Sequence, residues 1–191
     1  KIEQRLLHED IDPGFSLGRL AIERERLLRT LAEADLLERN ARVPVPQLPL
    51  RIGLVTSVGS AAHGDFCAEL GRSNMPFTVL ERDTRVQGKE VADEIAEGLR
   101  VVATYEPDVV ALVRGGGSTA DLVAFDAEAV ARAIAELPVP VWTGIGHQVD
   151  RSIADEVAHT AFKTPTACAA ALVETVQVFT NLLEAMRSGI V

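Results

Sequence analysis

Aromatic side chains are scarce in this chain of 191 residues: six Phe, one Tyr and one Trp, 4% in all. Aliphatic side chains must therefore fill its core. Cysteine is nearly absent. Cys67 and Cys168 lie in helical-looking stretches without metal-ligand spacing, which reads as a reduced, intracellular chain with two buried thiols. Positive charge is in deficit: 19 Lys and Arg against 28 Asp and Glu give a formal net charge of −9 and a pI near 5.0. A uniformly acidic surface repels phosphodiesters, so composition alone argues against a nucleic-acid partner. No apolar stretch approaches the length of a membrane span, nothing resembles a signal peptide, and there are no internal repeats or low-complexity tracts. The chain opens on Lys1 and stops at Val191, and the expectation is a piece excised from a longer protein.

What is present is a globular composition, 47% hydrophobic and 25% charged with mean hydropathy +0.14. The length suits one α/β domain with appendages. Residues 17–37 put Leu20, Leu27, Leu28 and Leu31 on one helical face, with Glu and Arg on a solvated opposite face. Asp10, Asp12, Pro13 and Gly14 read as a loop before it, and the proline-rich 42–49 as a connector. From Leu50 the pattern alternates. Strands are predicted at 51–57, 77–81, 109–114 and 139–146. Helices are predicted at 61–72, 89–105, 127–137 and around 152–157. Strands of near-continuous Val, Ile and Leu between helices imply an α/β fold with an open, mostly parallel sheet covered on both faces, a Rossmann-like three-layer arrangement flanked by helical segments. A last helix starts at Thr164 as N-cap and Pro165 as its first residue. It runs on far enough to be the root of a long helix or coiled coil. The division is thus 1–49 as a helical linker, 50–163 as the α/β unit and 164–191 as the start of the long helix.

Ligands of an open parallel sheet bind beyond the carboxyl ends of its strands. Three strands here end in unusual sequence: VTSVGSAAHGD, VRGGGSTAD and TGIGHQVD. Together these loops supply Thr56, Ser57, Asp65, Arg114, Ser118, His147 and Asp150. Gly115, Gly116, Gly117 and Ser118 can turn backbone N–H groups toward an anion, and Arg114 adds a fork of donors suited to phosphate oxygens. His147 can move a proton near neutral pH, with Asp150 or Asp65 to orient it or a water. The set suits phosphoryl-ester chemistry. Each member also has a plainer reading. The GGGS run matches neither a Walker loop nor GxGxxG and can be a tight turn. Arg114 can be a strand-end ion pair and His147 a structural histidine, while Asp65, Asp150, Ser57 and Thr164 can be helix caps. Four plain readings on one sheet edge are less comfortable than one. His8, His63 and His159 have no comparable setting, although His63 lies close to Asp65.

The motifs RIGLVTSVGSAAHGDF, VQG at 86–88, RGGGSTADLVAF and GIGHQVDRSIADEVAHTAFKTPTACAA resemble those of the large subunit of bacterial exodeoxyribonuclease VII. The segment before Leu50 resembles that family's link between an N-terminal OB-fold and its catalytic domain. The resemblance implies an exonuclease that degrades single-stranded DNA from either end to short oligonucleotides in the cytoplasm, as one large subunit with several copies of a small helical subunit and no membrane. It implies an OB-fold before Lys1 and a coiled coil after Val191, through which the small subunits would be held. By position it carries catalytic roles to Asp65, Arg114, His147 and Asp150. Phosphate contacts would fall to Thr56, Ser57, Gly115, Gly116, Gly117, Ser118 and Thr164. Val58 stands where many relatives have proline, and Gln148-Val149 replaces Glu-Thr between His147 and Asp150. No obligatory cofactor or metal ligand set is expected, although Asp65 and Asp150 leave room for one divalent ion such as magnesium. With an OB-fold to track the strand, this acidic piece alone is expected to bind DNA weakly. The other classes in view are a non-catalytic nucleotide- or phosphate-binding module and a subunit scaffold.

Overall fold

The computed structural model describes residues 13–88, 91–116, 119–146 and 151–189. The order of elements is α1 (Pro13–Glu33), β1 (Arg51–Thr56), α2 (Ala61–Arg72), β2 (Thr78–Asp83), α3 (Ala92–Ala103), β3 (Val109–Val113), α4 (Glu128–Glu136), β4 (Val141–Gly144), α5 (Ile153–Val157), β5 (Thr160–Ala161) and α6 (Pro165–Arg187). Short 3-10 turns occupy Asn40–Arg42 and Thr119–Asp126.

The five strands form one all-parallel sheet in the order β2-β1-β3-β4-β5. Central strands β3 and β4 are buried along their whole length, which is why they read as continuous aliphatic runs. Edge strand β2 is instead half-buried to exposed. Pairing of Thr56 with Asp83 carries β2 on to Asp83, beyond the apolar run that ends at residue 81. Helices α3, α4 and α5 cover one face over an aliphatic cluster that includes Ile95, Leu99, Leu112, Ile134 and Val141. The other face holds a smaller cluster of Ile52, Leu54, Phe66, Leu70, Trp142 and Leu172, under α2 and α6.

The segment before β1 is stitched into the larger cluster. Leu31 and Leu36 are buried in it. Asn40 is fully buried: its Nδ2 donates to the carbonyls of Ile134, Leu137 and Val139 at 3.0–3.3 Å, and its Oδ1 accepts from Val141 N at 2.8 Å. One side chain thereby satisfies orphan carbonyls at the end of α4 and the first amide of β4. Pro13 and Gly14 lie in the first turn of α1 rather than in a loop, where proline costs no hydrogen bond. Nor is the polar face of α1 wholly solvated. Arg24 donates to the Arg151 carbonyl at 2.6 Å and lies 3.8 Å from Glu156.

Helix α6 corrects the reading that no segment is long and apolar enough to span a membrane. Among the described residues it alone meets that standard, with mean hydropathy 1.3 over its best window. Its inner residues Cys168, Ala169, Leu172 and Val176 are buried against the domain, so part of that apolarity belongs to a core helix. Farther along, Val178, Leu182, Leu183 and Met186 are exposed. Of the two thiols, Cys168 is buried as expected but Cys67 is only half-buried.

Candidate active site at the switch of the parallel sheet

From β1 the chain moves outward to β2, then returns past β1 to β3 and continues the other way. The connections diverge between β1 and β3, where doubly wound sheets open a crevice for ligands. The loops beyond Thr56 and Val113 flank it.

Glycines bring these loops together. A Cβ on Gly115 would sit 3.3 Å from Ala62 Cβ and 3.5 Å from Ala62 N. The glycine loop therefore rests on the first turn of α2, beside that helix's unsatisfied amides. A Cβ on Gly144 would sit 3.0 Å from the Thr164 carbonyl oxygen and 3.2 Å from Pro165 Cα, so a larger residue would unseat the root of α6. Arg114 N donates to the Gly144 carbonyl at 3.2 Å. At Gly146 a Cβ would lie 3.8 Å from the carbonyl oxygens of both Arg114 and Lys163. Three strand ends and the root of α6 meet at one place.

Thr56 is fully buried, and its carbonyl accepts from Thr84 N at 2.9 Å. Ser57 Oγ donates to the Thr84 carbonyl at 3.0 Å, and Val58 N donates to Asp83 Oδ1 at 3.0 Å. Ser57 is thus a strut lacing the loop to β2, not a helix cap. Ser60 is the cap: its Oγ accepts from His63 N at 3.2 Å. Asp65 lies in the second turn of α2, exposed and three residues beyond Ala62, hence on a neighbouring part of the helix surface. Among the described residues, no atom lies within 4 Å of where a Cβ on Gly116 would be. Thr164 Oγ1 accepts from Ala167 N at 3.0 Å and caps α6.

Among the described residues Arg114 is the largest fully buried side chain, only 1% exposed. A guanidinium removed from water is costly unless its surroundings are polar, so at the start of the glycine loop Arg114 is a buried cation rather than an open surface one. His147, Asp150, Gly117 and Ser118 lie outside the described residues. The strand that leads to His147 is described as far as Gly146, inside the same convergence.

Asp155 escaped the sequence reading. It is buried, its Oδ1 accepts from Thr143 Oγ1 at 2.5 Å, and its Oδ2 accepts from Ser152 N at 3.1 Å and Ser152 Oγ at 2.8 Å. These bonds hold the start of α5 against β4 just beyond the His147–Asp150 stretch. The signal was available as the capping-box spacing Ser152-x-x-Asp155. An open cleft of about 400 Å³ lies one strand away, lined by Arg82, Asp83, Thr84, Arg85, Asp93, Glu94 and Glu97. Its carboxylates outnumber its arginines, and Arg85 is paired with Glu94, so it repels phosphate and is not the candidate site.

An all-parallel doubly wound sheet, with a glycine loop following a buried arginine at its switch, defines an α/β protein with a strand-end site. The chain belongs to the exonuclease VII large-subunit family: the family model described as "Exonuclease VII, large subunit" matches residues 36–190. A Geotalea uraniireducens (strain Rf4) protein named exodeoxyribonuclease 7 large subunit is 39% identical over 190 residues, covering 99% of this chain and 42% of its own length. Its Thermotoga petrophila namesake is 41% identical over 153 residues, covering 80% of this chain and 39% of its own length. For Geobacter sulfurreducens the figures are 38% over 190 residues, 99% and 42%. The chain spans about two-fifths of the length of the curated relatives it matches.

Proposed function

We propose that this chain is the catalytic α/β part of an exodeoxyribonuclease that hydrolyses phosphodiester bonds of single-stranded DNA, from either end, to short oligonucleotides. The observation that carries the reading is the meeting of three strand ends at buried Arg114 in a chain of this family. In the parent protein it works as a large subunit with several small subunits, in the cytoplasm. The amides of the Gly115–Gly116 loop, extended by Gly117 and Ser118, cradle the scissile phosphate. Buried Arg114 beside them supplies positive charge where exclusion of water strengthens its pull. His147 takes the proton of the attacking water or returns one to the leaving oxygen, with Asp150 and Asp65 orienting the ring or the water. Thr56, Ser57 and Thr164 hold the loops through the bonds described above. No metal is obligatory in this scheme, although magnesium bound between Asp65 and Asp150 remains compatible with it.

The test is cleavage of end-labelled single-stranded oligonucleotides by the full-length protein. Replacing His147 with Ala is expected to lower kcat on the order of 10²–10⁴-fold. Near-full activity in that variant overturns the assignment. Activity should persist in a chelator. Saturable mononucleotide binding without cleavage by the unaltered protein would favour a binding module instead.

A further inference from the structure

We infer that His63, Cys67 and Glu81 form a binding site for a zinc-class divalent cation, separate from the sheet-edge crevice. His63 and Cys67 are one helical turn apart on α2, so they share a face. Glu81 stands on β2 two residues beyond Val79, which packs into the cluster beneath α2, and so projects to the same side of the sheet. One ligand atom from each lies within 4.8 Å of the other two. His63 Nε2 is 2.9 Å from Glu81 Oε1, and Cys67 Sγ is 3.9 Å from the same oxygen. A tetrahedral zinc with nitrogen, sulfur and oxygen ligands needs these atoms about 3.3–3.7 Å apart, so the widest separation must close by roughly 1 Å and the shortest open slightly.

The chemistry selects the ion. Imidazole, thiolate and carboxylate together suit zinc or cobalt and not magnesium or calcium, which take oxygen. The three groups are partly exposed, leaving access for the ion and a fourth position for water. Burial and the nearby Glu81 carboxylate raise the Cys67 thiol above its ordinary value. Zinc is ligated by the thiolate, so binding would release the Cys67 thiol proton.

The histidine must also change its proton. In the structure Gly59 N donates to His63 Nδ1 at 3.3 Å, so Nε2 carries the hydrogen and donates it to Glu81. Ligation through Nε2 moves the proton to Nδ1 and gives up this long bond. Gly59 can yield: it is a glycine at φ 81° with nothing packed within 4 Å of its Cβ position. Filled, the site would pin the first two turns of α2 to β2.

The test uses the full-length protein, stripped of metal, with Zn²⁺ alone as the probe and alkylation of the Cys67 peptide read by mass spectrometry. Micromolar Zn²⁺ is expected to slow alkylation of Cys67 at least about 10-fold, and His63→Gln or Glu81→Gln to weaken that protection about 10–100-fold, the loss typical of a damaged metal site. Both substitutions are at partly exposed positions, and circular dichroism checks their fold. A Cys67 alkylation rate unmoved by Zn²⁺ overturns the proposal, as does protection that survives in the His63→Gln, Glu81→Gln double variant. With Co²⁺ in place of Zn²⁺, a thiolate charge-transfer band should appear and be lost in Cys67→Ser; a band that persists there also overturns it.

Discussion

On one face of the sheet, α3, α4 and α5 close over a broad aliphatic cluster that also takes in Leu31 and Leu36; on the other, α2 and α6 close over a smaller one around Phe66, Trp142 and Leu172. The broad face admits one fully buried polar side chain from the linker, Asn40, and satisfies it completely. The narrow face carries the groups with chemistry. Gly115 rests on α2, Gly144 rests on α6, and His63, Cys67 and Glu81 face one another. Trp142 packs on Phe162 with ring centroids 5.2 Å apart and planes at 49°, a tilted pair on the face that also holds Phe66 and Phe77. The broad side supplies stability, which leaves the narrow side and its strand ends free for less favourable polar arrangements.

Truncation is the strongest way to test this division. Leu99→Ala, deep in the broad cluster, should cost about 4 kcal/mol, and Leu70→Ala, at the margin of the narrow one, about 2 kcal/mol. Denaturant midpoints of the two variants check it; equal losses would dissolve the contrast. Asn40→Ala should follow at about 3 kcal/mol, because it strands buried carbonyls and the Val141 amide. A loss near zero would mean water replaces the side chain there.

Smaller effects probe the seams. His159 lies at the β4–β5 edge, and burial holds its imidazole below the ordinary value of 6.5. The unfolded chain therefore takes up the proton first as pH falls through that value, and stability declines until pH passes below the folded value. His159→Gln should flatten this part of the profile between about pH 7 and 5 in thermal melts. Smallest is Glu106→Gly. Glu106 holds φ 52° just past α3, and relieving it should raise stability by about 0.5–1 kcal/mol.

Much of this was legible in the residues. β1, β3 and β4 announce themselves as aliphatic runs because both their faces are covered, and the odd sequence at their ends marks the crevice. β5 was not legible: it is two residues long and exists through backbone bonds such as Phe162 N to the Thr143 carbonyl at 2.8 Å. The 3-10 turn at Thr119–Asp126 has no amphipathic period to betray it. Asn40 looks like any linker residue, since its partners lie about a hundred positions away. His63, Cys67 and Glu81 are divided between a helix and a strand, so only the register of α2 over β2 brings them together. Arg114 stood out at a strand end, but its burial was not legible, because burial depends on the tertiary packing around it.

Helix α6 has 23 residues, a rod about 35 Å long at 1.5 Å per residue. Its root is clamped where Gly144 meets Thr164 and Pro165, while its far turns expose Val178, Leu182 and Met186. A load applied to the far turns is therefore a bending moment on the clamp. The clamp shares its backbone with the strand end that runs on through Gly146. Whatever grips the tip of this lever acts, through a stiff arm, on the alignment of the crevice.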